Sequence, residues 1–212
     1  MSCFFLHVAI ESYWHIGSGR GGGLAVDAVV HKDGDGLPEL PGRGLRGLVR
    51  DAAQRAEDWG HLPKNWTAAW FGTDTRHYPK AANQEPRDDD AFRVDRHHTQ
   101  DGRLIFDNAV LPRALRDWLR HDPDNLRDHF YRHLYATALD PERGTALPRS
   151  LRGMEVVVPL DLVAPLTLKP EAQGSGEDLV ASLRRCLPLI RGLGLARTRG
   201  LGRCRITLEV KP

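Results

Sequence analysis

The sequence has few cysteines, and its charges almost cancel. Its 212 residues contain three cysteines, Cys3, Cys186 and Cys204, which are odd in number and include no Cys-x-x-Cys pair. This argues against a disulfide framework and a zinc site on paired cysteines, and favours thiols buried in core elements within a reducing cytoplasm. The 30 basic and 28 acidic residues leave a net charge of +2. Any contact with nucleic acid must therefore come from local basic patches.

Long apolar runs and a targeting segment are also missing. No apolar run approaches the roughly 20 residues that a membrane-spanning helix needs. Residues 1–7 lack a basic region and a cleavage site, so they do not resemble a signal peptide. The composition, with 27% charged residues, predicts a soluble cytoplasmic protein without membrane contact. Its length predicts a single domain over residues 1–212.

Features that suggest chemistry are concentrated in residues 14–50. A glycine cluster at 17–23 allows a ligand to approach the backbone where a Cβ would collide. Asp27 is a lone acid in the apolar run that follows. The dipeptide Pro-Gly at 41–42 then opens a predicted helix that carries, on one stripe, Arg43, Arg46 and Arg50. Glycines, one acid and a basic stripe together indicate a phosphate-rich partner.

Two motifs in this stretch are interpreted as turns. Residues 17–22 match the pattern G-x-G-x-x-G, which in a dinucleotide-binding fold must open a helix. Residues 24–32, however, form an extended, β-rich run that places Asp27 in the middle of a strand, so a nucleotide cofactor is disfavoured. The sequence Asp-Gly-Asp-Gly at 33–36 predicts a tight turn with positive φ at both glycines, and the later acidic ligands of an EF-hand are missing.

The hydrophobic pattern predicts an α+β fold. The predicted elements are a strand over 3–14, a helix after Gly42, a strand over 104–111, two helical pieces over 112–133, a strand over 156–162, a helix over 175–190 kinked at Pro188 and a strand over 204–210. This order of strand, helix and strand occurs twice, with insertions. It predicts a ferredoxin-like or RRM-like antiparallel sheet with helices on one face.

A second glycine-rich segment, near the C-terminus, is strongly basic. Residues 192–202 read Gly-Leu-Gly-Leu-Ala-Arg-Thr-Arg-Gly-Leu-Gly, and residues 184–205 contain seven arginines and no acid. A glycine loop flanked by arginines is suited to a phosphate backbone. An irregular segment over 137–153, with two prolines and further arginines, predicts a protruding basic hairpin.

Several blocks of the sequence resemble the RAMP superfamily of CRISPR-associated proteins. These blocks are His15 to Gly19, the run from Asp27 to Asp33, Leu37-Pro-Glu-Leu-Pro-Gly-Arg-Gly-Leu-Arg-Gly47, Phe71-Gly72, Gly102 to Asp107, Arg152 to Glu155 and the C-terminal loop 192–202. They cover nearly the whole chain. The resemblance is closest to the repeated backbone subunit of type III effector complexes.

The resemblance implies an RNA-binding role. Copies of such a subunit stack along a CRISPR guide RNA with other effector subunits. Residues 136–155 resemble the thumb hairpin pressed between bases, and residues 60–103 resemble the variable lid. His15 and Arg46 match positions that contact guide phosphates, whereas Arg43-Gly44 replaces the usual Ser-Ser pair. With the basic stretches included, we expect RNA contacts from His15, Ser18, Arg20, Arg43, Arg46, Arg50, Arg143, Arg149, Arg197, Arg199 and Arg203.

The resemblance also implies catalysis. Asp27 falls where slicing members have their catalytic aspartate, which implies cleavage of a complementary target RNA at regular intervals, dependent on Mg²⁺ or another divalent cation, in the assembled complex. Asp27 could bind the metal ion, and His31 and Asp33 are nearby polar candidates. Two alternatives stay open: a non-catalytic RNA-binding or capping subunit of the same complex, and a stand-alone endonuclease that processes repeat RNA with a histidine.

Overall fold

The computed structural model of the chain describes residues 3–23, 26–72, 101–121, 125–169 and 176–211. The strands are β1 (Cys3–Ile10), β2 (Glu39–Leu40), β3 (Leu104–Phe106), β4 (Ala109–Val110), β5 (Tyr131–Ala136), β6 (Arg152–Val157), β7 (Leu160–Leu168) and β8 (Cys204–Lys211). The α-helices are α1 (Gly42–Asp58), α2 (Trp66–Phe71), α3 (Arg113–Leu119) and α4 (Gly176–Cys186). Short 3₁₀ helices cover Leu126–Phe130, Leu187–Leu189 and Arg197–Arg199.

Six of the strands form one antiparallel sheet. β1 lies between β7 and β8, with Leu6 opposite Ala164 on one side and Leu208 on the other. β3 and β4 both pair with β7, and β2 pairs with β4 at the edge. With β3 and β4 taken as one interrupted strand, this is the strand order of a ferredoxin-like sheet, so the predicted α+β fold is confirmed.

The core lies between the sheet and two helices. Alternate residues of β1, among them Leu6 and Val8, are fully buried. They share one apolar cluster with Leu45 of α1 and Leu179 of α4. The period of three and four residues in α1 and the period of two in β1 therefore bury one face of each element against the other. Among the residues that the structure describes, none of the helices has the length and apolar character needed to span a membrane.

A separate hairpin stands beside the main sheet. β5 and β6 pair antiparallel, from Tyr131 opposite Val157 to Ala136 opposite Arg152. The connection continues the pairing through a bridge between Leu139 and Ala146. The hairpin therefore spans residues 131–157 and includes the predicted thumb segment 136–155. The sequence predicted helical structure up to residue 133. This boundary is wrong, because residues 131–133 already belong to β5.

Other predicted boundaries also need correction. Residues 26–32, predicted as part of a strand over 24–32, make only isolated bridges. β1 ends at residue 10 and not at 14, and the predicted strand 104–111 is broken at 107–108. The strand predicted over 156–162 is two strands, which belong to the hairpin and to the main sheet.

Smaller predictions differ as well. Of the two glycines in the turn at 33–36, Gly36 has a φ of +77° and Gly34 does not lie in the left-handed region. Cys186 and Cys204 are buried as predicted, but Cys3 is exposed.

The predicted lid over 60–103 lies largely outside the described residues, which break off between 72 and 101. Its first part is regular, because residues 66–71 form α2. Trp66, Trp70 and Phe71 of this helix are buried in the core and their rings contact one another. This part of the predicted lid therefore contributes to the domain core.

Candidate nucleic-acid interface

After β1 the chain reaches two buried residues, Trp14 and His15, that contact the hairpin. The backbone of Trp14 exchanges two hydrogen bonds with Val157, with N–O distances of 3.0 and 2.8 Å. The indole Nε1 of Trp14 donates to the carbonyl of Val158 at 3.1 Å, and the side chain is fully buried. The base of the hairpin thereby fixes the residues that follow Trp14.

His15 joins three segments. Its Nδ1 donates to the carbonyl of Glu155 in β6 at 2.7 Å, because a carbonyl oxygen can only accept. Its own carbonyl accepts from the backbone N–H of Leu195 at 2.9 Å. The imidazole is 2% exposed, and its Nε2 lies 3.3 Å from the position of a Cβ at Gly17. The structure therefore places His15 beneath the Gly17–Ser18 turn.

The C-terminal glycine loop packs directly on this turn. Gly194 has a φ of +74°, and a Cβ at this position would lie 2.3 Å from the carbonyl oxygen of His15. At the other end of the loop, Gly202 has a φ of +69°, and its Cβ would lie 1.9 Å from the carbonyl oxygen of Leu193. Both positions require glycine because of their backbone conformation and because of the close approach.

These segments enclose a cavity of about 250 Å³ at the beginning of α1. Its wall contains residues from the Gly17–Ser18 turn, from the end of β2 and the beginning of α1, and from the C-terminal loop, together with His31: Ile16, Gly17, Ser18, His31, Leu40, Pro41, Arg43, Gly44, Leu48, Gly194 and Arg197. Arg43 and Arg197 are exposed, and neither guanidinium has a hydrogen-bond or ion-pair partner within the described ranges. The cavity therefore combines unpaired positive charge with glycine backbone.

The beginning of α1 adds to the positive potential. No side chain caps the helix at Pro41, and the amide of Gly42 donates to Asn108 Oδ1 at 2.8 Å. Pro41, Arg43 and Gly44 all line the cavity. The N-terminal end of a 17-residue helix has a partial positive charge and favours anions.

The other two arginines of the predicted α1 stripe point elsewhere. Arg46 Nη2 donates to the carbonyl of Phe71, and the guanidinium carbon lies 6.0 Å from the Phe71 ring centre. Arg50 Nη2 lies 3.5 Å from the carbonyl oxygen of Gly72. Both carbonyls belong to the C-terminal end of α2, where helix acceptors lack intrahelical partners. Of the three arginines, the structure brings only Arg43 to the cavity.

The remaining predicted RNA contacts lie around the cavity or on the hairpin. Ser18 Oγ donates to the carbonyl of Val29 at 3.1 Å and stabilises the turn. Arg203 pairs with Glu11, with an N–O distance of 3.4 Å. The other four predicted contacts are exposed. Arg20 follows the Gly17–Ser18 turn, Arg199 lies in the C-terminal loop, and Arg143 and Arg149 lie in the connection of the hairpin.

Asp27 lies in an exposed bend that contacts β6. Its Oδ2 accepts from the N–H of Gly153 at 2.8 Å, and its own N–H donates to the Gly153 carbonyl at 2.8 Å. The described residues contain no cluster of three or more His, Cys, Asp or Glu side chains that could hold a metal ion. His31 is bonded to Glu39, and Asp33 pairs with Arg116 at 2.8 Å. Asp27 therefore belongs to no group of three or more metal-ligating side chains among these residues.

Glu155 is a site residue whose role the sequence did not predict. Its carboxylate is 7% exposed and accepts from the Val30 N–H at 3.1 Å and from Lys32 Nζ at 2.8 Å. Lys32 Nζ also lies 3.7 Å from the ring centre of Tyr131, and burial together with the Glu155 charge raises the pKa of the Tyr131 hydroxyl. The sequence signals were its place at the end of the family-like block Arg152 to Glu155 and before the apolar run 156–158.

Comparisons with known proteins identify the family and the fold. The sequence model of the RAMP superfamily matches residues 8–205. No curated protein matches the chain. A chain in the structure of the type III-B Cmr-beta bound to cognate target RNA is 17% identical, with a TM-score of 0.59 over 99% of this chain and 60% of that one. A chain of type III-B Cmr-beta in the apo state is 11% identical, with a TM-score of 0.61 over 98% and 97%.

The chain thus spans 60% of the length of the first of these two relatives. At such identities the likeness indicates a shared fold, and the roles of individual residues have to be argued from this chain's own geometry.

Proposed function

Because the chain belongs to the RAMP superfamily, we propose that it is a backbone subunit of a type III CRISPR effector complex that binds guide RNA and cleaves the complementary target RNA. The observation that carries the proposal is the cavity in which the Gly17–Ser18 turn, the beginning of α1 and the glycine loop meet. These three segments are separate in the sequence and are among the blocks that carry the family resemblance.

The cavity binds a phosphate of the guide backbone. Arg43 and Arg197 supply two guanidinium groups, whose planar donors suit phosphate oxygens. Gly17, Gly44 and Gly194 contribute backbone without side chains to the cavity wall. Contacts of this kind do not read base sequence, so one subunit can bind any guide.

The hairpin, whose base contacts His15 through Glu155, carries an exposed apolar surface in its connection. Leu139, Leu147 and Leu151 are 61, 42 and 69% exposed, and arginines lie between them in the sequence. In the proposed complex these side chains press between bases of the guide–target duplex at regular intervals. Further copies of the subunit and other effector subunits then continue along the guide.

Target cleavage depends on Asp27. The Gly153 amide occupies Oδ2 and orients the carboxylate, whereas Oδ1 has no partner among the described residues. Asp27 can offer a divalent cation such as Mg²⁺ one carboxylate ligand, and oxygens of the target RNA and water would supply the others. When bound, the ion supplies charge stabilisation at the scissile phosphate. The chain's own part is to hold the Asp27 carboxylate at a fixed place beside the hairpin.

A second candidate function is a guide-binding subunit without cleavage activity. The observation that favours it is that, within the described residues, Asp27 belongs to no group of three or more metal-ligating side chains. The third interpretation, a repeat-RNA-processing enzyme with His15 as the base, is not proposed. His15 is 2% exposed, and its Nδ1 is bonded to the Glu155 carbonyl.

The experiment measures guide binding and target cleavage separately. We expect Arg43→Ala and Arg197→Ala to weaken guide-RNA binding about tenfold each and to make its salt dependence less steep. Arg184→Ala is the matched control, since Arg184 is exposed on α4 and outside the cavity. Equal effects of all three would contradict the binding site.

Cleavage of a complementary RNA by the assembled complex with Mg²⁺ is then compared for wild type and Asp27→Ala. Evenly spaced cuts that vanish in the variant, with guide binding intact, support the slicing subunit. The same absence of cuts in wild type and variant, with tight guide binding, supports the scaffold.

A further inference from the structure

A histidine–carboxylate pair forms part of the cavity wall. His31 Nε2 lies 2.9 Å from Glu39 Oε1, and Glu39 is 8% exposed at the edge of the main sheet. The His31 amide donates to the carbonyl of Ile16 at 2.7 Å, which fixes the histidine backbone beside the first turn. The imidazole itself is 36% exposed and lines the cavity. A buried acid therefore holds a histidine at a site that is otherwise cationic.

The pair determines which ring nitrogen of His31 is left as a hydrogen-bond acceptor. A carboxylate oxygen can only accept, so the proton of a neutral imidazole lies on Nε2 and is donated to Glu39. Nδ1 then has a free lone pair. No described residue makes a hydrogen bond or ion pair with this nitrogen.

The other polar side chains on the cavity wall are donors or are already used. Arg43 and Arg197 have N–H groups and no acceptor. The Ser18 hydroxyl donates to the Val29 carbonyl and accepts from the Arg20 amide at 3.2 Å. His31 is thus the lining side chain that offers an unused acceptor. Such an atom is of no use to a phosphate, whose oxygens accept hydrogen bonds.

A polynucleotide backbone has one hydrogen-bond donor, the 2′-hydroxyl of ribose, which DNA lacks. We propose that His31, oriented by Glu39, accepts a hydrogen bond from a ribose 2′-hydroxyl next to the phosphate bound by Arg43 and Arg197. His31 is then a specificity-determining residue, through which the cavity selects RNA over DNA independently of base sequence. The inference rests on the proposed function, since it requires a nucleic-acid backbone in the cavity.

The test measures the affinity of the protein for one single-stranded sequence as RNA and as DNA at a single salt concentration. The variants are His31→Phe, which keeps an aromatic ring without an acceptor, and Glu39→Gln, whose amide can donate to Nε2 and reverse the tautomer. We expect the wild type to prefer RNA. Both variants weaken RNA binding about fivefold, the size of one hydrogen bond, and leave DNA binding within twofold. The thermal midpoint of each variant identifies a failure to fold.

Arg43→Ala separates the failure of this inference from that of the proposed function. The inference predicts that this variant weakens RNA and DNA binding by the same factor, because both contain the phosphate. If Arg43→Ala changes neither affinity, the cavity is not the binding site and the proposed function fails. If Arg43→Ala weakens both affinities but the folded His31→Phe and Glu39→Gln variants leave the RNA preference unchanged, the ribose inference is overturned.

Discussion

The carboxylate of Glu155 and the ammonium of Lys32 form an ion pair of 2.8 Å that connects the hairpin to the segment carrying Asp27. The same carboxylate accepts from the Val30 amide, and the Glu155 amide donates to the Ala28 carbonyl at 2.9 Å. Residues 26–32 lack a regular strand, so these contacts take the place of a sheet ladder. The position of the Asp27 carboxylate therefore depends on β6.

We predict that Glu155→Ala lowers the free energy of unfolding by about 1–3 kcal/mol, since it removes the acceptor of the Val30 amide. Glu155→Gln keeps a neutral acceptor and costs less. Urea unfolding followed by far-UV circular dichroism measures both variants. Glu142→Ala is the control, because Glu142 is exposed in the hairpin connection. A loss in Glu155→Ala no larger than in Glu142→Ala would contradict the prediction.

Arg46 provides a second test, because its family match suggests an RNA contact and its geometry suggests a structural one. Its guanidinium donates to the carbonyl of Phe71 at the end of α2. We expect Arg46→Ala to lower the free energy of unfolding by about 1 kcal/mol, as its side chain is partly exposed. Arg43→Ala, whose side chain is exposed and unpaired in the described chain, stays within about 0.5 kcal/mol of wild type.

The two variants should show the reverse order in guide-RNA affinity, with Arg43→Ala the weaker binder. Unfolding curves and RNA titrations on the same preparations provide both comparisons. If Arg46→Ala binds RNA as weakly as Arg43→Ala and unfolds like wild type, the structural role of Arg46 is wrong.

The sequence predicted the elements whose pattern is local. The period of three and four residues identified α1 and α4, and the kink at Pro188 appears as the 3₁₀ helix that follows α4. Alternation identified β8, whose buried and exposed residues alternate from Cys204 to Leu208. The family resemblance to the RAMP superfamily is confirmed by the match over residues 8–205.

Long-range partners explain what the sequence could not predict. Residues 26–32 have β-rich composition, but their bridges go to three separate places, Ala28 to Met154 of β6, Val30 to Gly17 and Lys32 to Pro38, so no continuous strand pairing forms. Arg46 follows the same helical spacing as Arg43, yet α2 supplies it with a carbonyl acceptor. His31 and Glu39 are eight residues apart and meet only because the turn at 33–36 folds back.

The cysteines should differ sharply in reactivity. Burial raises the pKa of the Cys186 thiol to about 12 and that of the Cys204 thiol to about 11, so both are almost fully protonated at pH 8. Cys3 is exposed. We predict that iodoacetamide modifies one thiol per chain in native protein at pH 8 and three in urea. Mass spectrometry of peptides identifies the sites, and native labelling of Cys186 at the rate of Cys3 would contradict the buried core.

Alanine substitutions at two glycines of the C-terminal loop distinguish the stability cost of backbone strain from the cost of a steric clash. Gly194 and Gly200 both have positive φ, of +74° and +86°. A Cβ at Gly200 meets nothing within 4 Å, whereas at Gly194 it lies 2.3 Å from the carbonyl oxygen of His15. We expect Gly200→Ala to cost about 1 kcal/mol of unfolding free energy, which is the conformational term alone.

Gly194→Ala adds the displacement of the His15 backbone, for a total of about 2–4 kcal/mol. Because His15 lies beneath the Gly17–Ser18 turn, this variant should also weaken guide-RNA binding, while Gly200→Ala binds within about twofold of wild type. Urea unfolding and RNA titration are measured on both proteins. Equal stability losses and equal RNA affinities would mean that the glycine loop does not support the first turn, and the cavity would then lose one of its three walls.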